Sequence, residues 1–184
     1  WCTYHLAIGF EHLFIYFDEP EEMAAVGLSS RFPATHVTCI PHDSELKAVW
    51  PQLQRNSTAL VRHATNEVQT RQQLNARHAI GLAAARQLEW LLHIDSDELF
   101  DPGRAGSVSA HFEELRQGGV STFCYMNYEA VPERHGVLDP FREVSLFKRP
   151  VEVIPRSVEA AEAVGLWQNR LSGDDYGTYF YYYD

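Results

Sequence analysis

Positive charge is scarce in this sequence. Its 184 residues include 15 Lys and Arg against 25 Asp and Glu, which gives a formal net charge of -10 at pH 7. Nucleic-acid backbones are bound by clustered Lys and Arg, so the composition argues against a nucleic-acid partner. It does not exclude a phosphate-bearing ligand, because a bound divalent cation can supply the positive charge.

Cysteine is also scarce, and long apolar runs are absent. Cys2, Cys39 and Cys124 are too few and too far apart for a disulfide framework or a zinc quartet. We expect them to be small buried hydrophobic residues. No stretch reaches the roughly 18 to 20 apolar residues that a membrane span needs. We therefore expect membrane attachment only through an anchor elsewhere in a parent protein.

The sequence begins at Trp1 without an initiator Met and ends in a strand-like run at Asp184. We interpret both ends as truncations. At 45% hydrophobic and 12% aromatic residues, the chain has enough material for one buried core. We expect residues 1–184 to form a single, partial catalytic domain.

Helical and strand patterns alternate along the chain. Trp1 to Phe10 carries a helical apolar stripe that stops near Gly9, and the run HLFIYF is typical of a buried strand that ends at Asp18. Later segments continue the alternation. Helices are predicted over Glu21–Leu28, Ser57–Leu88 and His111–Gln117, and strands over Val37–Pro41, Trp90–Ile94, Val120–Tyr128 and Val144–Lys148. This order predicts an α/β layered domain with a mostly parallel sheet.

The strongest local signal is Asp95-Ser96-Asp97, directly after the apolar run WLLHI. Ligands of open α/β sheets bind at the carboxyl ends of the strands. Two carboxylates at i and i+2 beyond a strand end can reach one cation, and Mg2+ or Mn2+ prefers oxygen ligands. Such a metal would suit the departure of a nucleoside diphosphate. The plain alternative is a solvated acidic turn.

Three segments together resemble a known enzyme family. They are HLAIGFEHLFIYFDEPEE, QQLNARHAIGLAAARQLEWLLHIDSDELF and FREVSLFKRP. Over roughly Trp1 to Pro150 they look like glycosyltransferase family 92 and the related family 2-like enzymes. The resemblance implies a GT-A fold, a nucleotide-sugar donor, usually a uridine diphosphate sugar, and a glycan or other hydroxyl acceptor. It also implies a parent protein in the Golgi or another endomembrane lumen.

The resemblance also assigns roles to individual residues. Asp95 and Asp97 match the D-x-D motif that binds metal and diphosphate. Asp18 matches an acid that contacts the base or ribose, and Arg77 matches a helix position whose cation faces the nucleotide. Gln72 is a weaker candidate for the nucleotide side. For each of these residues the alternative is an ordinary solvated position.

An inverting transfer needs a base that takes the proton of the acceptor hydroxyl. We select Glu129, because it follows the strand predicted over Val120–Tyr128. No spacing excludes the other acids, which are Glu133, Asp139, Asp174 and Asp175. His93 and Trp90, in the strand predicted over Trp90–Ile94, are expected to pack in the core. Glu98 is expected to cap a helix, with a place on the acceptor side as the alternative. An acceptor groove and alternating burial in a strand explain the cluster Tyr179, Tyr181, Tyr182 and Tyr183 equally well.

This chain departs from the family in ways that keep other functions open. A first strand with a K-N-E type segment, normally found just before the position of Trp1, is missing, so the fragment by itself can be inactive. A nucleotidyltransferase-like enzyme ought to show a Gly-rich phosphate loop, and none is present in these 184 residues. A non-catalytic carbohydrate-binding domain would need no carboxylate pair at a strand end. A metal-dependent glycosyltransferase explains the most features together.

Overall fold

A computed structural model of the chain describes residues 1–53, 57–125 and 127–148. It contains two compact units, Trp1–Ser121 and Thr122–Asp184. The first unit holds a small parallel sheet with helices around it, so the predicted α/β class is confirmed at that level. That residues 1–184 form one domain stays a prediction.

The first predicted helix and strand are both present. Helix α1 covers Cys2–Ala7, and Gly9 then takes a φ of 112°, a conformation that glycine adopts without steric cost. Strand β1 follows as Leu13–Phe17, with both ends buried. Asp18 is the first residue beyond this strand, as the sequence predicts.

Two short helices connect β1 to a parallel partner strand. Helix α2, Pro20–Val26, begins with proline in its first turn and ends where Gly27 takes a φ of 62°. Helix α3 covers Leu28–Arg31, and strand β2 covers Val37–Pro41 as predicted. The strands are parallel, and their register runs from Leu13 beside Val37 to Phe17 beside Pro41. The carboxyl ends of both strands therefore lie at the same edge.

Three helices follow β2. Helix α4, Ser44–Val49, is capped by Asp43, whose side chain accepts hydrogen bonds from the backbone N–H groups of Glu45 and Leu46. A 3₁₀ turn at Trp50–Gln52 comes next. Helices α5 and α6 cover Ser57–Val61 and Val68–Ala85.

The single long helix predicted over Ser57–Leu88 was wrong in its first part. The backbone N–H groups of Asn66 and Glu67 both donate to the carbonyl of His63, at 3.1 and 3.0 Å. They close a turn between α5 and α6 instead of extending one helix. Leu88 also falls outside α6, because its N–H returns to the carbonyl of Ala83 at 3.0 Å.

The main core lies between β2, α4 and α6. Leu74 of α6 is fully buried, and Trp50 is 2% exposed. Ile40, Leu46 and Ala64 complete this cluster. A second cluster joins α1 to the two strands through Cys2, Leu13 and Val37. Burial on this scale is the main stabilising contribution to the sheet.

The strand predicted over Trp90–Ile94 was wrong. Exposure alternates along the segment as it would in a strand. However, the backbone of these residues forms no hydrogen bond with another part of the described chain, and the only described partner of β1 is β2. The apolar pattern is therefore present without the ladder that defines a strand. His93 is exposed, so its predicted core position was wrong as well.

The elements predicted after Pro102 are confirmed only in part. Helix α7 begins three residues earlier than predicted, at Val108–Gln117, and is capped by Ser107. No strand forms over the described part of Val120–Tyr128. In the second unit, Glu129–Ala130 (β3) and Phe147–Lys148 (β4) pair in antiparallel fashion, and helix α8 covers Pro140–Glu143. The mostly parallel sheet is thus limited, among the described residues, to the β1–β2 pair.

The cysteines and the apolar content of the helices follow the sequence only in part. Cys2 is buried, but Cys39 is half-buried and Cys124 exposed, so only Cys2 matches the expected buried position. Within the described residues, no helix is long and apolar enough to cross a bilayer.

Helix α1 is hydrogen-bonded to the segment that follows the D-x-D motif. The indole N–H of Trp1 donates to the carbonyl of Glu98 at 2.6 Å, and the hydroxyl of Tyr4 donates to the carbonyl of Phe100 at 2.9 Å. His5, 1% exposed, accepts from the N–H of Phe100 through Nε2 at 3.2 Å and donates from Nδ1 to the carbonyl of Trp1. These bonds require the neutral imidazole with its proton on Nδ1.

Burial lowers the pKa of His5 below its ordinary value, which makes folding pH-dependent. The unfolded chain binds a proton that the folded chain excludes, so stability is complete above about pH 6.5 and falls as the pH drops below it. In urea unfolding between about pH 7.5 and 5.5, the free energy of unfolding of His5→Gln should fall less steeply with falling pH than that of wild type. The difference in slope should be at most about 1.4 kcal/mol per pH unit. The other histidines are present in both wild type and variant, so their contributions cancel in the comparison. Equal pH slopes for the two chains would contradict the prediction.

Candidate functional site

The acid at the end of β1 is fully paired with an arginine of α6. The Nε and Nη2 groups of Arg71 donate to the two carboxylate oxygens of Asp18, each at 2.6 Å. The third nitrogen of the guanidinium donates to the carbonyl of Ala64 at 2.9 Å. The Arg71 side chain is 12% exposed and that of Asp18 is 47% exposed. This bidentate geometry fixes the orientation of the carboxylate.

The electrostatics of Asp18 follow from this pair. Its hydrogen bonds with Arg71 lower the pKa of the Asp18 carboxyl group, and partial burial opposes that effect only in part. At the end of β2, His42 places Nδ1 3.2 Å from the backbone carbonyl of Asp18 and 3.7 Å from its Oδ1. The His42 ring stacks on Trp50, with 5.2 Å between ring centroids. Asp18 is thus held as a carboxylate at the shared edge of the two strands.

The D-x-D motif lies on a tight turn that begins at Asp95. The N–H of Glu98 donates to the carbonyl of Asp95 at 3.2 Å, and the N–H of Asp95 donates to the Glu98 carboxylate at 2.9 Å. Glu98 therefore closes this turn and does not cap a helix as expected. The side chain of Asp95 is held as well, because Nε2 of Gln72 donates to its Oδ1 at 3.0 Å. Asp95 is half-buried and held at its N–H, its carbonyl and one carboxylate oxygen.

Asp97 differs from Asp95 in its surroundings. It is exposed at the tip of the turn and makes no side-chain hydrogen bond or ion pair within the part of the chain that the structure describes. Its carboxylate is therefore available to a ligand. The side chains of Asp95 and Asp97 offer only oxygen ligands, the kind that Mg2+ and Mn2+ prefer. Among the described residues, no group of three or more His, Cys, Asp or Glu side chains forms a ready metal cage.

Arg77 does not join these acids. Its Nη1 donates to the hydroxyl of Ser57, a fully buried residue of α5, at 3.0 Å. It forms no hydrogen bond or ion pair with Asp18 or Asp95 in the described structure. Its nucleotide-facing role stays a prediction, and the sequence interpretation overlooked Arg71. Helical spacing could not have identified Arg71, because Arg71 and Arg77 both lie three residues from the buried Leu74 and so share its face of the helix.

A half-buried tyrosine–histidine pair joins α6 to β1. The hydroxyl of Tyr16 and Nδ1 of His78 are 2.9 Å apart. Burial raises the pKa of Tyr16 and lowers the pKa of His78, so both groups are neutral near pH 7 and the tyrosine is the donor. Because Tyr16 precedes Asp18 while His78 follows Arg71, the helix runs antiparallel to the strand. This pair sets the axial position of α6.

The candidate base lies in the second unit. Glu129 is the first residue of β3, is exposed, and stands opposite Lys148 of β4 in the strand register. Glu133 and Asp139 are also in this unit and are part of the described chain. The role of Glu129 stays a prediction. Two other candidates, Asp174 and Asp175, and the tyrosine cluster over 179–183 lie outside the described residues.

Two clefts of the first unit lie away from Asp18 and Asp95. A cleft of about 390 Å³ is bordered by Gly9–His12, by Gln87–Trp90 and by α7, and neither Asp18 nor Asp95 lines it. Trp90 packs there against Phe112, with 5.1 Å between ring centroids, which confirms its packing role. A smaller cleft of about 240 Å³ lies beside β2 and His78. Neither of these two clefts therefore contains the candidate acids.

The Asp18–Arg71 pair should contribute measurably to stability. In Asp18→Asn, the free energy of unfolding near pH 7 should fall by about 0.5 to 1 kcal/mol, a range that allows for the exposure of Asp18. Because pairing lowers the pKa of Asp18, its contribution is present above about pH 4 and is lost as the pH falls through the folded-state value. Urea unfolding of both chains across this range measures the difference.

The control for this pair is Glu22→Gln, which removes one exposed carboxylate from α2 without breaking a described ion pair. It should change stability by no more than about 0.5 kcal/mol. If Asp18→Asn matched this control at every pH, the pair would contribute nothing to folding.

The chain is similar to two proteins of Arabidopsis thaliana. One, named Glycosyltransferase-like At2g41451, is 28% identical over 165 residues, which are 86% of this chain and 36% of that protein. The other, named Glycosyltransferase-like At3g57200, is 34% identical over 98 residues, which are 50% of this chain and 18% of that protein. No family model matches the chain, and no solved structure matches it. The chain thus spans about a third or less of the length of these curated relatives.

Proposed function

We propose that this chain is the nucleotide-binding part of a metal-dependent glycosyltransferase. One observation carries the proposal: adjacent residues of α6, Arg71 and Gln72, bind the two acids on which donor binding would depend, Asp18 and Asp95. The names of both Arabidopsis relatives support a glycosyltransferase function in general. In this proposal the first unit is the nucleotide-binding half of a GT-A-type fold.

The donor is a nucleotide sugar, proposed to be a uridine diphosphate sugar. Asp95 and Asp97 would hold Mn2+ or Mg2+, and that cation would stabilise the charge of the departing diphosphate. Asp97 is free to bind, and Asp95 keeps one carboxylate oxygen without a described hydrogen-bond donor. This arrangement also explains how an acidic chain could bind a diphosphate.

Asp18 would contact the nucleoside. Each of its oxygens accepts one hydrogen bond from Arg71, and a carboxylate oxygen has a second lone pair. The carboxylate can therefore accept further hydrogen bonds from ribose hydroxyls or a base N–H without leaving Arg71. Arg77 belongs to the same proposal only if a ligand draws its side chain away from Ser57.

The acceptor is a hydroxyl group of a glycan or glycoconjugate, and transfer would invert the anomeric configuration. Glu129 is the proposed base, which would take the acceptor proton as the hydroxyl attacks the sugar. In this proposal the parent protein works in the Golgi or another endomembrane lumen. These finer points come from the family resemblance of the sequence and extend beyond what the relatives' names say.

Calorimetric titration of uridine diphosphate into the 184-residue chain, with and without Mn2+, tests the proposal. Wild type should bind in the presence of Mn2+. Asp95→Ala/Asp97→Ala should bind at least about tenfold more weakly, because losing contacts to a charged group costs about 1.5 to 3 kcal/mol. Glu21→Ala/Glu22→Ala removes the same number of exposed carboxylates from α2 and should leave binding unchanged.

The outcomes separate the function classes. Mn2+-dependent binding that is lost only in the Asp95/Asp97 variant supports the glycosyltransferase proposal. Binding that needs no metal would remove the proposed role of the D-x-D pair. A folded wild-type chain that binds no nucleotide under any condition, but does bind free glycans, would instead indicate a non-catalytic carbohydrate-binding domain.

A further inference from the structure

Two adjacent residues of α6 bind the two candidate acids, one through a charged group and the other through a neutral one. Arg71 donates two hydrogen bonds from a full positive charge to Asp18. Gln72 donates a single hydrogen bond from a neutral amide to Asp95. Both acids are thus oriented by the same helical turn, but only one has its charge neutralised by its partner.

This difference determines which acid can hold a cation. A carboxylate paired bidentately with a guanidinium has lost most of its attraction for a second cation. Asp18 is in that state. An amide donor fixes the direction of a carboxylate and leaves its negative charge in place. Asp95 therefore presents an oriented carboxylate whose Oδ2 receives no hydrogen bond within the described structure.

We propose that Gln72 is the positioning residue for metal binding at Asp95. The inference rests on the proposed function, and it adds a residue for which the sequence indicated at most contact with the nucleotide. Glu98 fixes the backbone of the turn through the N–H and carbonyl of Asp95, and Gln72 fixes the side chain. With Oδ1 held, the Oδ2 atom and the free Asp97 carboxylate become the cation ligands. A neutral donor is required at position 72, because a cation there would compete with the metal for Asp95.

This requirement gives a specific order of metal affinities. Gln72→Ala removes the donor and frees the Asp95 carboxylate to rotate, so Mn2+ affinity should fall about tenfold, as for other residues that orient metal ligands. Gln72→Arg keeps a hydrogen-bond donor but adds a charge that pairs with Asp95, so affinity should fall further than in Gln72→Ala. A residue that only stabilised the turn would give the opposite order, because arginine preserves the hydrogen bond.

The experiment is a titration of each chain with Mn2+ alone, in which the electron paramagnetic resonance signal reports the free ion. Gln73→Ala is the matched control: it removes the same side chain from the next position of α6, where no side-chain hydrogen bond is described. Thermal unfolding of every variant establishes that it is folded. Wild type and Gln73→Ala should bind Mn2+ equally, followed by Gln72→Ala and then Gln72→Arg.

The possible failures are distinguishable. If Asp95→Ala abolishes Mn2+ binding while both Gln72 variants bind as well as wild type, the metal site stands and the positioning role of Gln72 is wrong. If Gln72→Arg binds more tightly than Gln72→Ala, the charge argument is wrong. If folded wild type does not bind Mn2+, the metal site of the proposed function is wrong, and the inference about Gln72 is overturned with it.

Discussion

The burial of Leu74 against β2 and α4 is the constraint on which the candidate site depends. This side chain is fully buried in the main core and fixes the rotation of α6 about its own axis. Residues three and four positions away on a helix share its face, so Arg71 and His78 must face the sheet as well. His78 contacts Tyr16 of β1, and Arg71 contacts Asp18, the first residue beyond that strand. One apolar contact thereby sets the position of two polar ones.

The same geometry explains why consecutive residues reach different acids. Neighbours on an α-helix differ by about 100° in direction, so Gln72 points away from β1 when Arg71 points toward it. It meets Asp95, which begins the turn closed by Glu98. The backbone before that turn has no described ladder partner, and α1 holds the segment after it through hydrogen bonds to Glu98 and Phe100. The turn therefore relies on helices on both sides, and not on a sheet.

The sequence predicted the local elements well and the pairing of distant ones poorly. The bounds of β2 and the end of α1 shortly before Gly9 follow from residues within a few positions of each other. The D-x-D motif could be recognised for the same reason, because it consists of three consecutive residues. The predicted strand over Trp90–Ile94 failed because an apolar run shows that a segment can be buried, but a strand also needs a neighbour in the ladder. Arg77 was selected from the family resemblance, and Arg71 was overlooked because the sequence alone does not show which residue of α6 meets Asp18.

The sequence by itself determined which acids this chain can offer: Asp18 after a strand, and Asp95 and Asp97 on one short turn. It also determined the caps and glycines that end its helices, because those depend on backbone conformation within a single turn. Only the tertiary structure decided how each acid is held. Arg71 is 53 residues from Asp18 and Gln72 is 23 residues from Asp95. Contacts over such separations depend on how buried faces pack, and packing decides which charge is neutralised and which stays available.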